Sequence, residues 1–160
     1  MQTYNSKTLK IATTLVAFVA VYIASDYLAS DHKWFGLRKN VSDSLPFKWF
    51  ISFKLDAIRR NDYVAFYHEQ HGVILAKKMT GIPGDSIAVR DDHVFVNHQD
   101  CGGILKQSPS GRTLTPIREN IIPEGFVFVS GTHKDSFDSR YAEFGLMRIE
   151  DLQEVLWPIF

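Results

Sequence analysis

The sequence is poor in cysteine and has no excess of charge of either sign. Its 160 residues include one cysteine, Cys101, so a disulfide within the chain is excluded. Eighteen basic residues balance eighteen acidic ones, which excludes the strongly basic composition typical of nucleic-acid-binding domains, and no nucleic acid partner is expected. Internal repeats and low-complexity tracts are also absent. The length and the apolar fraction of 45% suit one domain with an appendage.

A long apolar run lies near the N-terminus. After Lys7 and Lys10, residues 11–28 read IATTLVAFVAVYIASDYL, and fourteen of these eighteen residues are apolar. As a helix this stretch would measure roughly 27 Å, just enough to cross a bilayer. A cleavable signal peptide is the less favoured alternative, because Tyr22 or Tyr27 falls at the −3 position of the available cleavage sites. A buried helix of a soluble domain also stays open.

We therefore predict an N-terminal membrane anchor at residues 1–30 and a separate domain at residues 31–160. The short tail is expected inside the cell and the domain outside. Aromatic side chains crowd the segment after the anchor, which is typical of the membrane–water interface, although the edge of a hydrophobic core would explain them equally well. These side chains are Trp34, Phe35, Phe47, Trp49, Phe50 and Phe53. Membrane lipid is thus an expected partner of this segment.

From Tyr63 onward the apolar pattern is that of β-strands. The strand-like stretches are DYVAFYH, GVILAKKM, DSIAVRDDHVFVN (two strands around Asp91-Asp92), GFVFVSG and LMRIEDLQEVLW. The chain between Cys101 and Asn120 is polar, contains Gly and Pro, and is predicted as an excursion. Helix signals after the anchor are weak, apart from a possible short turn within residues 47–60. The pattern predicts a mainly β domain of antiparallel strands.

Two adjacent lysines, Lys77 and Lys78, stand at the end of the apolar run GVILA. Neighbouring residues of a strand point to opposite faces, so one lysine must face inward and the other toward solvent. A lysine in an apolar setting loses hydration and its pKa falls, and a neutral amine near pH 7 is a competent general base. Two lysines reaching outward from an edge strand are the alternative, and the pair by itself favours that alternative.

The stretch GIPGD follows the lysines and predicts a rigid turn. Gly81 and Gly84 permit positive φ, and Pro83 fixes its own φ. Asp85 can accept hydrogen bonds from the amides of the turn. A turn with a purely structural role would explain these residues on its own.

Two polar segments could supply partners for a basic lysine. In VSDSLP, Pro46 holds the preceding residue extended, which suits a stiff loop that presents Ser44, with the hydroxyl of Ser42 near enough to help hold an oxyanion. In residues 130–145, SGTHKDSFDSRYAEFG, polar groups follow a buried strand directly, a place where functional loops often lie. A turn-rich linker and a solvated loop are the respective alternatives.

Together and in this order, the segments resemble the type I signal peptidases, which use a Ser/Lys pair. KKMTGIPGD is similar to the lysine box of that family, commonly Lys-Arg-x-x-Gly-x-Pro-Gly-Asp. The match places Lys77 at the general-base position and Lys78 at the usual arginine. NDYVAF is similar to the strand that precedes this box. The resemblance runs from about Val41 to the C-terminus and implies a signal-peptidase-like antiparallel β fold.

The resemblance also implies roles for the other polar residues. SDS is similar to the nucleophile box Ser-Gly-Ser, which gives Ser44 as the nucleophile and Ser42 as the oxyanion helper. DSFDSRYAEFG is similar to the box Asn-Ser-x-Asp-Ser-Arg-Tyr-x-Gly. On that match Ser136 orients the lysine, and Asp138 and Arg140 form a supporting ion pair.

The chain departs from the family pattern at three places. Asp43 replaces the glycine between the two serines, the serine box is one residue shorter than Ser-Met-x-Pro, and Gly131-Thr132-His133-Lys134 replaces Gly-Asp-Asn-Arg. A Ser-x-Pro box, a single anchor and a small size resemble the TraF-type peptidases of conjugative transfer systems. Members of that branch process a pilin precursor, and some join the pilin ends into a circle.

The resemblance therefore implies a membrane-anchored serine endopeptidase that needs no metal or cofactor. Its expected partner is a protein substrate, either a pilin precursor or, for a general leader peptidase, a preprotein that carries a signal peptide. The expected location is the bacterial inner membrane, single-pass, with the catalytic domain on the periplasmic side. A non-catalytic β module of a secretion channel is the alternative from another class, and it predicts that Ser44 and Lys77 lie far apart.

Overall fold

The computed structural model describes residues 6–29, 35–68 and 72–159. The chain divides into two compact units, Met1–Trp34 and Phe35–Phe160. In the first unit the apolar run forms one helix, α1, Ser6–Ala29. Among the described residues, no helix combines the length and the apolar character that crossing a bilayer requires. The helix expected at residues 1–30 is therefore present, but the membrane span expected there is not confirmed.

The second unit folds into two antiparallel sheets. Its strands are β1 (Phe35–Lys39), β2 (Trp49–Lys54), β3 (Tyr63–His68), β4 (Val73–Gly81), β5 (Ser86–Arg90), β6 (His93–Val96), β7 (Gln99–Gly103), β8 (Asn120–Ile121), β9 (Phe126–Ser130), β10 (Met147–Arg148) and β11 (Leu152–Pro158). The larger sheet has the order β1-β2-β11-β3-β4-β9-β10 and the smaller sheet has the order β7-β6-β5-β8. The prediction of a mainly antiparallel β domain is confirmed.

Most of the predicted strands are present, and one predicted element is wrong. The runs at DYVAFYH, GVILAKKM, DSIAVRDDHVFVN and GFVFVSG form β3, β4, β5 with β6, and β9, and the last run forms β10 and β11 around a short 3₁₀ turn. The turn expected within residues 47–60 is instead the strand β2. Its pattern is hidden because the buried face carries Ser52, which packs where Gly36 of β1 leaves room for its hydroxyl.

The core lies on both faces of β9. Val127 and Val129 pack on one face with residues of β3 and β4, among them Val64. Phe128 points to the opposite face and packs with residues of the smaller sheet, among them Val96. The continuous apolar run FVFV is therefore the pattern of a strand buried on both faces, as the alternation of side chains along a strand requires.

The aromatic residues after the helix divide between the core and the surface. The rings of Phe47 and Phe50 pack edge to face with centroids 5.9 Å apart, and Phe50 is buried. Phe35 and Phe53, paired across β1 and β2, are exposed. Trp34 lies outside the described residues. The core interpretation is thus confirmed for Phe47 and Phe50, and the interface interpretation of the exposed rings stays a prediction.

The GIPGD stretch turns the chain from the larger sheet into the smaller one. Gly84 has a φ of +88°, as the turn predicts. Gly81 is needed for a different reason from the one expected. It does not adopt positive φ, but it ends β4 inside the core, where a side chain has no room. A Cβ at this position would lie 2.5 Å from Ile122 Cδ1 and 2.9 Å from Phe128 Cβ.

Asp85 fixes this turn through several donors. Its carboxylate accepts a hydrogen bond from the Ile82 amide at 2.8 Å, as the sequence predicts, and another from Asn97 Nδ2 at 2.9 Å. Arg60 donates to both carboxylate oxygens, with Nη2 to Oδ1 at 2.7 Å. The guanidinium of Arg60 lowers the pKa of Asp85 to about 2. The turn that ends the lysine strand is therefore held rigidly.

We predict that Gly81→Ala destabilises the protein, because the added methyl group overlaps two core side chains. The expected loss is about 1–3 kcal/mol in the free energy of unfolding, measured by urea denaturation of the full chain. Gly103→Ala is the control, since its nearest contact would be an ordinary 3.5 Å from His93 Nε2. Equal stabilities of the two variants would contradict the account.

Candidate active site

The two adjacent lysines of β4 lie on opposite faces of the strand, as the sequence predicts. Lys77 is 2% exposed, lies across from Val64 of β3 and shares its face of the strand with Met79. Lys78 is half-buried on the other face and lies across from Ser130 of β9. The structure therefore makes Lys77 the lysine that is withdrawn from water.

Ser44 is held in the loop between β1 and β2 by backbone contacts on both sides. Its carbonyl oxygen accepts a hydrogen bond from the Thr132 amide at 2.7 Å. The next residue, Leu45, is buried with Phe50 in a small core cluster. Asn40 closes the loop, because its amide donates to the Lys48 carbonyl at 2.8 Å. A half-buried serine in a fixed position results.

Three side chains meet at the buried amine. Lys77 Nζ lies 2.8 Å from Ser44 Oγ and 2.6 Å from Ser136 Oγ. The two serine oxygens are 3.4 Å apart. When the amine is neutral, its lone pair can accept the Ser44 hydroxyl proton while one N–H donates to Ser136, and the Ser136 hydroxyl donates to Ser44. The distance contradicts the non-catalytic alternative, which requires Ser44 and Lys77 to lie far apart.

Burial lowers the pKa of Lys77 from its ordinary value of 10.5 to about 8. The negative charge of Asp138 opposes this shift and the positive charge of Arg140 adds to it. About a tenth of the amine is then neutral at pH 7, against a very small fraction for an ordinary lysine. The site can therefore accept a proton at physiological pH without a histidine.

A buried ion pair supports the segment that carries Ser136. Arg140 Nε lies 2.8 Å from Asp138 Oδ1, and both side chains are almost completely buried. Arg140 Nη2 also donates to the Ser136 carbonyl at 2.8 Å. Asp138 Oδ2 accepts the Gly131 amide at 2.8 Å. Because each partner also holds backbone, removing either one would leave a buried charge and loosen the Ser136 segment.

Gly131 and Thr132 complete the site, although the sequence analysis assigns them no role beyond their place in a segment that departs from the family box. A Cβ at Gly131 would lie 2.1 Å from Ser136 Oγ and 2.9 Å from the Ser44 carbonyl oxygen, so only glycine allows the segments this close. Thr132 anchors Ser44 through its amide. The sequence feature that could have predicted a role for Gly131 is its position directly after the buried strand β9.

Ser42 has a different partner from the one expected. Its hydroxyl donates to Asn40 Oδ1 at 3.0 Å, and its amide donates to the same oxygen at 3.1 Å. Within the described part of the chain, it has no hydrogen bond to Ser44 or Lys77. Its contribution to an oxyanion site stays a prediction.

A cleft of about 470 Å³ has Ser42 and Ala76 in its lining, and we call it the β1–β4 cleft. It is lined by residues 37–42 and 73–76, with Phe50, Ala65 and Leu156 contributing apolar side chains. Residues 73–76 pair with β3 on one side, whereas β4 pairs with β9 only from Lys78 onward. Among the described residues, the other edge of residues 73–76 has no strand partner, so it can pair with an extended peptide.

No metal site accompanies this arrangement in the described ranges 6–29, 35–68 and 72–159. There, no three His, Cys, Asp or Glu side chains lie close enough together to hold a metal ion. The reactive groups described above are a hydroxyl, an amine and backbone amides. Such groups suit proton transfer and nucleophilic attack by Ser44.

We predict that Lys77→Met stabilises the protein at low pH. The folded-state pKa of Lys77 is about 8 and its ordinary value is 10.5. Burial of the charged amine therefore lowers the free energy of unfolding, and this loss has its full size below pH 8. Between those pH values the folded protein releases the proton first, so wild-type stability rises with pH and the cost disappears above 10.5. The expected gain for the variant is about 1–3 kcal/mol at pH 6 after the lost hydrogen bonds are counted.

Urea denaturation of the full chain at pH 6 and above pH 10 measures this difference. Lys106→Met, at an exposed position, controls for the loss of one positive charge. A Lys77→Met effect that does not change with pH would contradict the account.

The chain is similar over much of its length to known proteins. Signal peptidase I P of Bacillus subtilis subsp. natto is 28% identical over 165 residues, covering 96% of this chain and 86% of the relative. Signal peptidase I U of Bacillus subtilis (strain 168) is 33% identical over 88 residues, 51% of this chain and 47% of the relative. Conjugal transfer protein TraF of Agrobacterium fabrum (strain C58 / ATCC 33970) is 29% identical over 87 residues, 54% of this chain and 48% of the relative.

The chain thus spans about half the length of the last two relatives. The match to the family model is longer. Residues 6–155 match the family described as signal peptidase, peptidase S26, and this range includes all the side chains that meet at Lys77. The chain belongs to the signal peptidase family, peptidase S26.

Proposed function

We propose that the chain is a serine endopeptidase in which Ser44 is the nucleophile and Lys77 is the general base. One observation carries this proposal: the buried Lys77 amine lies 2.8 Å from Ser44 Oγ, within reach of the hydroxyl proton. A pKa of about 8 for Lys77 gives the site a usable fraction of neutral amine. Lys77 then serves as both the general base and the general acid of the reaction.

In the acylation step, neutral Lys77 takes the proton of the Ser44 hydroxyl as Ser44 Oγ attacks the scissile carbonyl carbon. The resulting ammonium then gives this proton to the leaving amine, and an acyl-enzyme on Ser44 remains. Ser136 is a positioning residue, because its hydroxyl holds Lys77 Nζ at 2.6 Å and points the amine toward Ser44. A water molecule that gives its proton to Lys77 completes hydrolysis in a second step.

The oxyanion formed during attack needs donors close to Ser44. The amide of Ser44 itself suits this role, since in the described part of the chain it donates no hydrogen bond to another group. Ser42 is the second donor that the family resemblance implies. Its hydroxyl would have to leave Asn40 Oδ1 to take part, so we assign the larger share to the Ser44 amide.

The β1–β4 cleft is the proposed binding site for residues that precede the scissile bond. An extended peptide can pair with the open edge of residues 73–76. Ala65 and Ala76 line this cleft, and their apolar surroundings suit small apolar side chains of the substrate just before the scissile bond. A protein with a short apolar segment before its cleavage site is the proposed substrate class.

We propose a conjugative pilin precursor as the substrate. The similarity to conjugal transfer protein TraF supports this choice, as does the short serine box. When the bond that is cut lies at the C-terminal end of the mature pilin, the acyl-enzyme carries the pilin itself. Water then gives a linear product, whereas attack by the N-terminal amine of the same pilin releases Ser44 and gives a ring. A general leader peptidase is the second candidate, because a signal peptidase I aligns with 96% of this chain.

We predict that Ser44→Ala and Lys77→Met each reduce cleavage of a precursor about 10³-fold or more. The test uses the purified full chain in detergent, with a pilin precursor and a secretory preprotein as separate substrates and intact mass as the readout. Ser110→Ala, at an exposed serine, is the matched control and should cleave like wild type. Wild-type cleavage should rise with pH through about 8 as Lys77 becomes neutral.

Each outcome of this test has one meaning. A product mass one water below that of the linear mature pilin marks ring formation, and the mass of the linear mature pilin marks hydrolysis. Cleavage of the secretory preprotein but not the pilin precursor would replace the first candidate by the second. Variants that cleave as well as wild type would overturn the assignment of Ser44 and Lys77.

We also propose that the β domain works at a membrane surface. Its outer strands expose large apolar side chains side by side, with the rings of Phe53 and Trp157 packed 5.4 Å apart. Leu37 and Ile51 are exposed on the neighbouring positions of β1 and β2. Such a patch suits the interfacial region of a bilayer. The inner membrane with the domain on the periplasmic side is the proposed location.

We predict that replacing Phe53 and Trp157 by serine weakens binding of the full chain to lipid vesicles several-fold, because the apolar area that enters the interface is reduced. Vesicle flotation measures the bound fraction. Ile121→Ser, at an exposed apolar residue of β8, is the control and should bind like wild type. Unchanged flotation of the double variant would contradict the proposed surface.

A further inference from the structure

A second cavity lies close to Ser44, and neither the fold nor the proposed chemistry accounts for it. It measures about 360 Å³ and is lined by Lys78 and Thr80 of β4, residues 99–102 and residues 130–132. We call it the Lys78 pocket. Most of its lining residues carry polar side chains, whereas Phe50, Ala65 and Leu156 give the β1–β4 cleft a largely apolar lining.

The Lys78 pocket and the β1–β4 cleft adjoin the same face of β4, because Ala76 lines the cleft and Lys78, two residues further along that face, lines the pocket. Along β4, the cleft is lined by residues 73–76, Lys77 follows, and the pocket begins at Lys78. Thr132 joins the pocket to the nucleophile, because it lines the pocket and its amide donates to the Ser44 carbonyl. A peptide that occupies the cleft and passes Ser44 therefore continues toward this pocket.

The position of the pocket assigns it to one side of the substrate. In the proposed function, residues before the scissile bond occupy the cleft and form the acyl-enzyme with Ser44. Residues after the bond then lie beyond Lys77, on the side of the leaving amine. This assignment rests on the proposed function, which supplies the direction of the peptide.

The charges around the pocket leave one cation without a partner. Among the described residues, Lys78 has no carboxylate within salt-bridge distance. Asp100 also lines the pocket, but its oxygens lie 2.9 and 3.1 Å from His93 Nδ1 and one accepts the Gly102 amide at 2.7 Å. Thr132 adds no charge to the pocket. The ammonium of Lys78 is therefore available to a ligand.

We propose that the Lys78 pocket binds the first two residues after the scissile bond and selects an acidic side chain there. A carboxylate in this pocket would form a charge-assisted hydrogen bond with the ammonium of Lys78. The hydroxyls of Thr80, Ser130 and Thr132 line the same cavity and can hydrogen-bond the peptide or the second carboxylate oxygen. Lys78 is thus a specificity-determining residue for the leaving side of the substrate.

The test uses peptides that are identical before the scissile bond and carry Glu, Gln or Lys at the first or second position after it. Wild type should cleave the Glu peptide with a kcat/KM about 3- to 10-fold higher than the Gln peptide. Lys78→Gln should abolish this preference, and Lys78→Glu should favour the Lys peptide. Lys106→Glu makes the same charge change at an exposed position outside the pocket and should keep the wild-type preference.

Equal cleavage of the three peptides by wild type, or a preference that survives in both Lys78 variants, would overturn the proposal while leaving the peptidase function intact. If wild type cleaves none of them, the proposed function has failed first. The affinities of the same peptides for Ser44→Ala, measured by fluorescence anisotropy, then test the proposed selectivity of the pocket without any cleavage. A tighter complex with the Glu peptide, lost in Ser44→Ala/Lys78→Gln, supports it, and equal affinities contradict it.

Discussion

The structure of the site depends on one constraint, the burial of a lysine amine beside a serine hydroxyl. An amine in this position loses its hydration, and the resulting fall in the pKa of Lys77 to about 8 makes it a base at neutral pH. The same burial costs folding stability whenever the amine is charged. Reactivity and reduced stability are therefore two effects of the same desolvation.

The rest of the domain keeps that amine dry and aligned. β3 and β4 supply the apolar face that surrounds Lys77, and the rigid turn at Asp85 fixes the end of its strand. Ser136 reaches the amine because Gly131 allows two segments to approach closely, and the buried pair of Asp138 and Arg140 holds both segments in place. Loops that are far apart in sequence are in this way fixed to within hydrogen-bonding distance.

Local patterns predict the parts of this structure that depend on neighbours in sequence. Strand alternation correctly predicts that one of Lys77 and Lys78 faces inward, and the apolar run before Ser130 predicts a strand buried on both faces. The strand β2 is missed because a buried Ser52 is accommodated by Gly36 of another strand. The hydrogen bond from Ser42 to Asn40 and the need for glycine at position 131 depend likewise on segments that meet only in the folded chain.

Titration of the Lys77 amine tests the central claim most directly. Lysines labelled at the ε-carbon can be followed by NMR as a function of pH in the folded full chain, with the Lys77 resonance assigned by its absence in Lys77→Arg. The account predicts a midpoint of about 8 for this resonance. A midpoint close to the ordinary value of 10.5 would contradict it, because the amine would then be charged at neutral pH and could not take the proton from Ser44.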